Sequence, residues 1–344
     1  MPNNILDVFS GDAFSVNELT DALNEIKFVP GRIGQMGLFS ASGVTTTTIA
    51  IEKKDGVLVL VPPSPRGGPG TTLDKAKRTL RNLTVPHFEI NDAVMAEEVQ
   101  GIRAFGEASA IETVQGKIAE RGGEHSQSLA ATSEYSQIGA IKGLVTYADS
   151  TTLDLAAVFG TSLPGEIDFE LDAASPASGV LRKKCATATR VIANALDGIP
   201  WSGMCHAFCG DAFFDDLLAH KEVRETYMGW PAARILREGY VDASGKTFGA
   251  FEFGDIVWEN YRGATGGSAF VHTDKCHIFP LGVPNLFRTY WAPADYVETV
   301  NTVGRRLYAK MYEMPNGKGV HFDVQMNELN ICTRPQVLQQ GKRT

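Results

Sequence analysis

Between residues 44 and 90 the chain carries a segment that cannot bury its own apolar side chains, and this limits what the whole can fold into. Val44 to Glu52 is rich in β-branched residues and alternates, the pattern of a strand. Lys53-Lys54-Asp55-Gly56 is a turn signal, Val57 to Val61 is a second strand stopped by Pro62-Pro63, and Ser64 to Gly70 is a tip of Ser, Pro, Arg and Gly. The chain returns through Lys75, Lys77, Arg78 and Arg81 into a further strand from Leu80 to Ile90. A hairpin this extended is marginal by itself and requires another surface to pack against.

At Asp92 the period changes. Met95, Val99, Ile102, Phe105, Ile111, Val114 and Ile118 recur every three or four residues. That spacing predicts a helix of about seven turns, with Asp92 as its N-cap and Gly122-Gly123 as its end. Gly101, Gly106 and Gly116 weaken such a helix by about 1 kcal/mol each relative to Ala, so bending is expected.

Charge divides unevenly between these neighbours. Residues 52–81 hold Lys53, Lys54, Arg66, Lys75, Lys77, Arg78 and Arg81 against three acids, whereas residues 89–124 hold eight acids against Arg103, Lys117 and Arg121. A basic arm beside an acidic helix suggests docking, within one chain or between copies, and a pair of solvated faces is the plainer alternative. One exposed pair contributes about 0 to 1 kcal/mol, but several pairs repeated over many copies set register and orientation. The candidate inter-subunit contacts are Lys75, Lys77, Arg78 and Arg81 on the arm, and Glu97, Glu98, Glu112 and Glu120 on the helix.

The remainder reads as a mixed α/β region. Before the hairpin, Asn17 to Phe28 can form a short helix within a mostly extended arm. After it, Val180 to Leu196 is a helix with Leu181, Cys185, Ala188, Ile192 and Leu196 inward. His206 to Cys209 is a short buried strand, followed by a helix from Asp211 to His220 capped by Asp211. Strands are expected from Ala250 to Tyr261, Ala269 to Val271 and Lys275 to Phe279, with a strand edge at Arg288 to Trp291 and alternation from Val320 to Cys332.

No feature rises to a catalytic or metal site. Cys205-His206 with Cys209, and Cys276-His277, are the best metal candidates, but no Cys-x2-Cys pair occurs, and cysteine in a strand usually acts as a small buried apolar side chain. There is no Gly-x-Ser-x-Gly elbow, and Gly263 to Ser268 lacks the Gly-Lys-Ser/Thr ending of a phosphate loop. Asp211, Asp215 and Asp216 are explained by the helix start they occupy. No cofactor is expected. With 40 acidic against 32 basic residues the net charge is −8, which disfavours a protein whose whole surface grips nucleic acid but allows one that encloses it. The N-terminus lacks signal-peptide blocks and no segment is apolar for the 18 to 20 residues that a membrane span needs, so a soluble chain with reduced cysteines, made in a cytoplasm, is expected.

The order of arm, long hairpin, long helix and mixed domain resembles the α+β fold of tailed-phage capsids named after the Hong Kong 97 phage. Motifs in the second half are similar to those of the lambda-like major capsid protein E family. They include Lys142-Gly143-Leu144-Val145-Thr146 with Leu153-Asp154 and Phe159-Gly160, then Phe213 to Leu217 followed by His220 to Glu225. Further on come Phe270 to Gly282, Phe287 to Pro293 and the ending Gly319 to Gln325, Leu329 and Arg334-Pro335. The resemblance implies an N-terminal arm (1–43), an extended loop (44–90), a spine helix and peripheral domain (91–176), an axial domain (177–300) and C-terminal strands returning to the peripheral domain (301–344). It implies a non-enzymatic virion protein, assembled in the host cytoplasm into hexamers and pentamers of an icosahedral shell around double-stranded DNA, with the loop of one copy lying over its neighbour. Only about 40 residues precede the loop, so a separate scaffolding protein and a portal are expected partners, and a decoration protein is compatible. No Lys–Asn crosslinking pair can be assigned. The alternatives are an encapsulin-type bacterial compartment of the same fold, a cytosolic hydrolase using Cys209 or Cys276, and an oligomeric binding module without a shell.

Overall fold

The computed structural model describes residues 31–54, 78–99, 114–173, 176–227, 240–241, 247–265 and 268–344. The expected helix at Asn17 to Phe28, the strand at Val57 to Val61 and the hairpin tip lie outside them. In chain order the elements used below begin with β1 (Phe39–Gly43), β2 (Thr48–Lys54), β3 (Arg78–Thr84), β4 (His87–Met95), α1 (Ala96–Val99) and α2 (Val114–Lys142). They continue with β5 (Leu144–Thr146), β6 (Thr152–Asp154), β7 (Ile167–Asp168), α3 (Val180–Leu196), β8 (Cys205–Cys209) and α4 (Asp211–Ala219). The last are β9 (Ala250–Phe253), β10 (Ile256–Asn260), β11 (Lys275–Pro280), β12 (Phe287–Trp291), β13 (Tyr308–Glu313), β14 (Gly319–Cys332) and β15 (Gln339–Lys342). They fall into two compact units, the first within Met1–Ala50, Asn82–Tyr135 and Arg288–Asn330, the second within Ile51–Arg81, Ser136–Phe287 and Ile331–Thr344.

The first unit is organised around β14. It pairs antiparallel with β4 over Gly319 to Asn327 and with β13 over Val320 to Gln325, and β12 links it to β1. Alternation does the rest, because successive side chains on a strand point to opposite faces. Val320, Phe322, Val324 and Met326 enter one cluster with Val94 of β4, Leu307, Ala309 and Met311 around β13, and Ile118 and Leu129 of α2. Each such side chain contributes about 1.5 to 3 kcal/mol when fully buried.

Two sequence expectations fail here. The period-3.6 stripe beginning at Asp92 is a strand as far as Met95, because Phe88, Ile90 and Val94 alternate toward the shared core and the backbone of residues 87–95 is taken up by β14. Asp92 is therefore not a helix cap. The long helix is 29 residues, Val114–Lys142, and it runs straight through Gly122-Gly123. Gly122 and Ser126 are buried in the same stripe as Ile118 and Leu129, so small residues lie where the helix meets its packing partners. Tertiary burial outweighs the roughly 1 kcal/mol that each glycine costs a helix. A third correction concerns Arg288 to Trp291, which is not a sheet edge: β12 is paired on both sides, by β1 and β14.

The second unit holds a six-stranded sheet in the order β9-β10-β8-β11-β15-β7, parallel at β10/β8 and β15/β7 and antiparallel elsewhere. Residues Ala250 to Tyr261, expected as a strand region, make two antiparallel strands joined at Gly254 and Asp255, both left-handed (φ 64° and 63°), as a tight two-residue hairpin requires. Helix α3 buries Leu181, Cys185, Ala188, Ile192 and Leu196, the five residues expected from their spacing. Trp258 is fully buried between Phe169, edge-on at 5.5 Å, and Phe213, stacked at 5.8 Å. Asp211 is the first residue of α4 rather than its cap, which is Gly210, and its carboxylate accepts from the Asn260 amide at 2.9 Å. The last strand does not return with β14 to the first unit: β15 lies between β11 and β7.

Candidate functional site

Among the described residues, the charged candidates singled out in the sequence occupy several elements, β3, α1 and α2. Lys75, Lys77 and Glu112 lie outside the described residues, and Arg78 opens β3. Arg81, also on β3, is exposed, with its guanidinium near the Gly160 turn. Glu97 is exposed in the first turn of α1. Glu98 accepts from the Met95 backbone N–H at 3.2 Å and from Arg121 Nη2 at 2.5 Å, so it holds α1 to the long helix. Glu120 pairs with Lys117 at 2.9 Å, one turn away on its own helix. The acidic stretch is thus met in part by bases of its own segment.

Arg121 is the centre of that arrangement, and the sequence did not single it out. Its Nη1 donates to Asp92 Oδ1 at 3.2 Å and to the Ala93 carbonyl at 2.7 Å, while His125 Nε2 meets the other Asp92 oxygen at 3.0 Å. Burial opposes the charged form of Asp92, but the Ala93 N–H, the His125 ring and the Arg121 guanidinium outweigh it and hold the carboxyl below its ordinary value. These bonds pin the first turns of α2 across β4, with His125 stacked on Phe322 at 6.2 Å.

The opposite face of β14 is polar and buried. Gln325 Nε2 donates to Glu89 Oε1 at 2.9 Å and to Asp295 Oδ1 at 2.6 Å, and the Asn91 amide spans Glu89 and Asp323. Three carboxylates therefore share two amides. Burial and the nearby Glu89 push the Asp323 carboxyl above its ordinary value. Further along, Glu328 is 4% exposed and accepts from Ser133 Oγ, Trp291 Nε1 and Asn330 Nδ2 at 2.5, 3.0 and 2.6 Å. A buried carboxylate that accepts from three neutral donors, with the Arg306 charge near it, is a structural joint between helix and sheet.

The residues considered for chemistry are buried in the sheet of the second unit. Cys209 and Cys276 face each other across β8 and β11, and all five cysteines are free and buried. Burial raises the thiols of Cys185, Cys205 and Cys332 to about 12, and burial with the adjacent Cys209 raises that of Cys276 well above its usual value. Such thiols are poor nucleophiles. His277 is held neutral, its pKa lowered to about 3 by burial and by Lys142 and Lys275. His206 lies 3.0 Å from Glu259 among Phe208 and Phe279. Among the described residues no group of three or more His, Cys, Asp or Glu is placed to hold a metal ion. What the geometry offers is a set of rigid surfaces.

The family model described as phage major capsid protein E matches residues 15–343. The chain belongs to the phage major capsid protein E family. It is 28% identical over 348 residues to the major capsid protein of Pseudomonas phage KPP10, covering 96% of this chain and 97% of that one. Its fold is similar to that of the candidate capsid protein of a prophage in E. coli CFT073, with a TM-score of 0.60, 13% identity and coverage of 96% and 99%. It is also similar to the chain in the mature capsid of bacteriophage PhiM1, with a TM-score of 0.50, 12% identity and coverage of 93% and 88%. The fold is the Hong Kong 97-type capsid fold that the order of elements resembled, and the chain is a structural component of a phage capsid rather than an encapsulin-type compartment or a cysteine hydrolase.

Proposed function

We propose that this capsid protein assembles, in the cytoplasm of its host, into hexamers and pentamers of an icosahedral shell around double-stranded DNA, and performs no catalysis. A scaffolding protein and a portal, supplied as separate chains, complete the assembly. In this reading residues 1–43 are an arm, 44–90 an extended loop laid over the neighbouring copy, and α2 the spine. The first unit forms the peripheral domain, and the sheet of the second unit forms the axial domain.

The observation that carries the reading is the isolation of the hairpin. Among the described residues, strands β2 and β3 make a two-stranded sheet of their own, joined to neither larger sheet. Its base is fixed, with Ile49, Leu83 and Val85 buried and the Val85 N–H donating to the Thr47 carbonyl at 2.9 Å. Beyond that base, among the described residues, the ribbon joins no further strand, and in this reading a neighbouring copy supplies its second layer. The charged residues Lys75, Lys77, Arg78 and Arg81 then meet Glu97 and Glu112 of another copy, together with Glu120, which Lys117 shares, while Glu98 is committed to Arg121. The acidic balance of the chain suits a container in which DNA must slide.

Electron microscopy of the expressed protein, alone and with the product of a neighbouring scaffolding gene, tests this. Closed shells of uniform size are expected. A compact, stable monomer that forms no particle under either condition refutes the proposal, and a strongly basic inner surface in the shell contradicts its account of the charge.

A further inference from the structure

Residues 292–307 connect β12 to β13 in the first unit and display Val297, Val300 and Val303 at 86%, 62% and 62% exposure. Single exposed valines on a slack loop need no explanation. This loop is fixed at every turn. The buried Thr299 hydroxyl donates to the Ala294 and Tyr296 carbonyls at 2.7 and 2.9 Å, and the Thr302 hydroxyl donates to the Thr299 carbonyl at 2.7 Å. Residues Val297–Thr299 form a 3-10 turn, which, at three residues per turn, sets Val297 and Val300 on one side. Asn301 then reverses the chain with φ 59°, and the Gly304 N–H donates to the Val44 carbonyl at 2.8 Å. A Cβ on Gly304 would lie 2.0 Å from the Trp291 carbonyl oxygen, so the base of the loop is pressed against β12 more closely than a side chain permits.

Within residues 297–303 the ridge is also electrically quiet, the exposed Arg305 lying just beyond it. Its one acid, Glu298, is bound by both oxygens to Lys310 at 2.9 and 3.0 Å, and the Lys310 ammonium sits over the Tyr296 ring at 5.0 Å. This matters for the choice of partner. Copies of a chain with net charge −8 repel one another, and a patch that meets its own copies about a symmetry axis faces its own charges. Self-contact therefore favours a surface that is apolar and neutralised.

We infer that the 297–303 ridge is a contact between copies of this chain, the valines of one copy set against the same valines of its neighbours. The inference rests on the shell reading above and adds to it where, and when, copies touch. Three valines offer on the order of a few hundred Å2, well under the roughly 800 Å2 per partner of a stable pair. The ridge therefore does not join two free chains; it closes once other contacts already hold the copies together.

A Val300→Cys substitution tests this, since the five native cysteines are buried and silent toward a polar maleimide. The introduced thiol is expected to label at an open rate in unassembled protein and at least tenfold more slowly in purified shells. Equal rates in the two states overturn the inference. A Val297→Asp/Val300→Asp variant is expected to fold with the parental circular dichroism spectrum yet give at least tenfold fewer shells, and parental yield from that variant overturns the inference as well. Should the parent form no shells at all, the shell reading itself falls, which is a separate and recognisable result.

Discussion

The two large sheets are built from opposite materials. In the second unit the fully buried centre is aromatic and sulfur-bearing: Trp258 between Phe169 and Phe213, with Cys205, Cys209 and Cys276 beside it. In the first unit the central strand β14 is apolar on the face that meets α2 but carries Asp323, Gln325 and Asn327 on the other face, all at most 7% exposed. The centre of one sheet is held mainly by packing, which tolerates small adjustments of shape, with the buried His206–Glu259 pair as its polar exception. The other is held in part by directional bonds between charged and amide groups, which fix register and leave costly orphans when broken. A shell subunit that must present fixed loops to its neighbours gains from the second kind of order near those loops.

The contrast can be broken by mutation. Trp258→Ala should cost about 3 to 5 kcal/mol of stability, through lost burial and an unfilled cavity. Hydrogen exchange followed by mass spectrometry on the unassembled protein should localise the loss to β8, β10 and β11. Glu328→Ala should cost about 3 kcal/mol, localised to β12 and β14, because three donors lose their acceptor at once. Glu328→Gln, which keeps an acceptor of the same shape, should cost about 1 kcal/mol. If the alanine and glutamine variants behave alike, the bonds to Glu328 are not what holds that joint.

Acid should separate the units further. His277 is kept neutral when folded, so its contribution is fully present above the unfolded pKa of 6.5 and falls away as pH drops from there toward about 3. Between pH 6.5 and 5 the second unit should lose about 2 kcal/mol, a loss that His277→Phe removes. Asp323 has the opposite sign. Its folded pKa is raised, so the charged form burdens the fold, and stability rises as pH falls through that raised value toward 3.8. Asp323→Asn should therefore stabilise the first unit at pH 7 and flatten its acid response. The smallest effect belongs to Glu120→Ala, which breaks an exposed helical pair and should change stability by a few tenths of a kcal/mol in the unassembled protein.

How much of this was legible in the sequence follows from how local each cause is. Helix α3 was readable to its ends, because five core residues repeat on one face and nothing competes with them. Two ends of the long helix are misplaced by a local reading: it continues past Gly122-Gly123 to Lys142, and residues 92–95 are a strand because the claim of β14 on residues 87–95 comes from more than 220 residues away. The contrast in β14 was visible only as alternation, since nothing local says that both of its faces are covered. Among the charged candidates, Glu98 was notable in the sequence for its sign, yet its role is set by Arg121, whose partners come together only when α2 crosses β4. The valine ridge has no sequence signal, because Val297, Val300 and Val303 are separated by polar residues and their display depends on bonds made by Thr299 and Gly304.

Strand β14 contributes residues to both units, and β15 is inserted between β11 and β7 rather than added at an edge. The first sheet cannot close before β14 has been made, and the second cannot close before β15. Until then the apolar strands of an incomplete chain are open to premature association. The same non-local pairing makes β7 dependent on a strand made about 170 residues later: without β15 nothing joins β7 to its sheet.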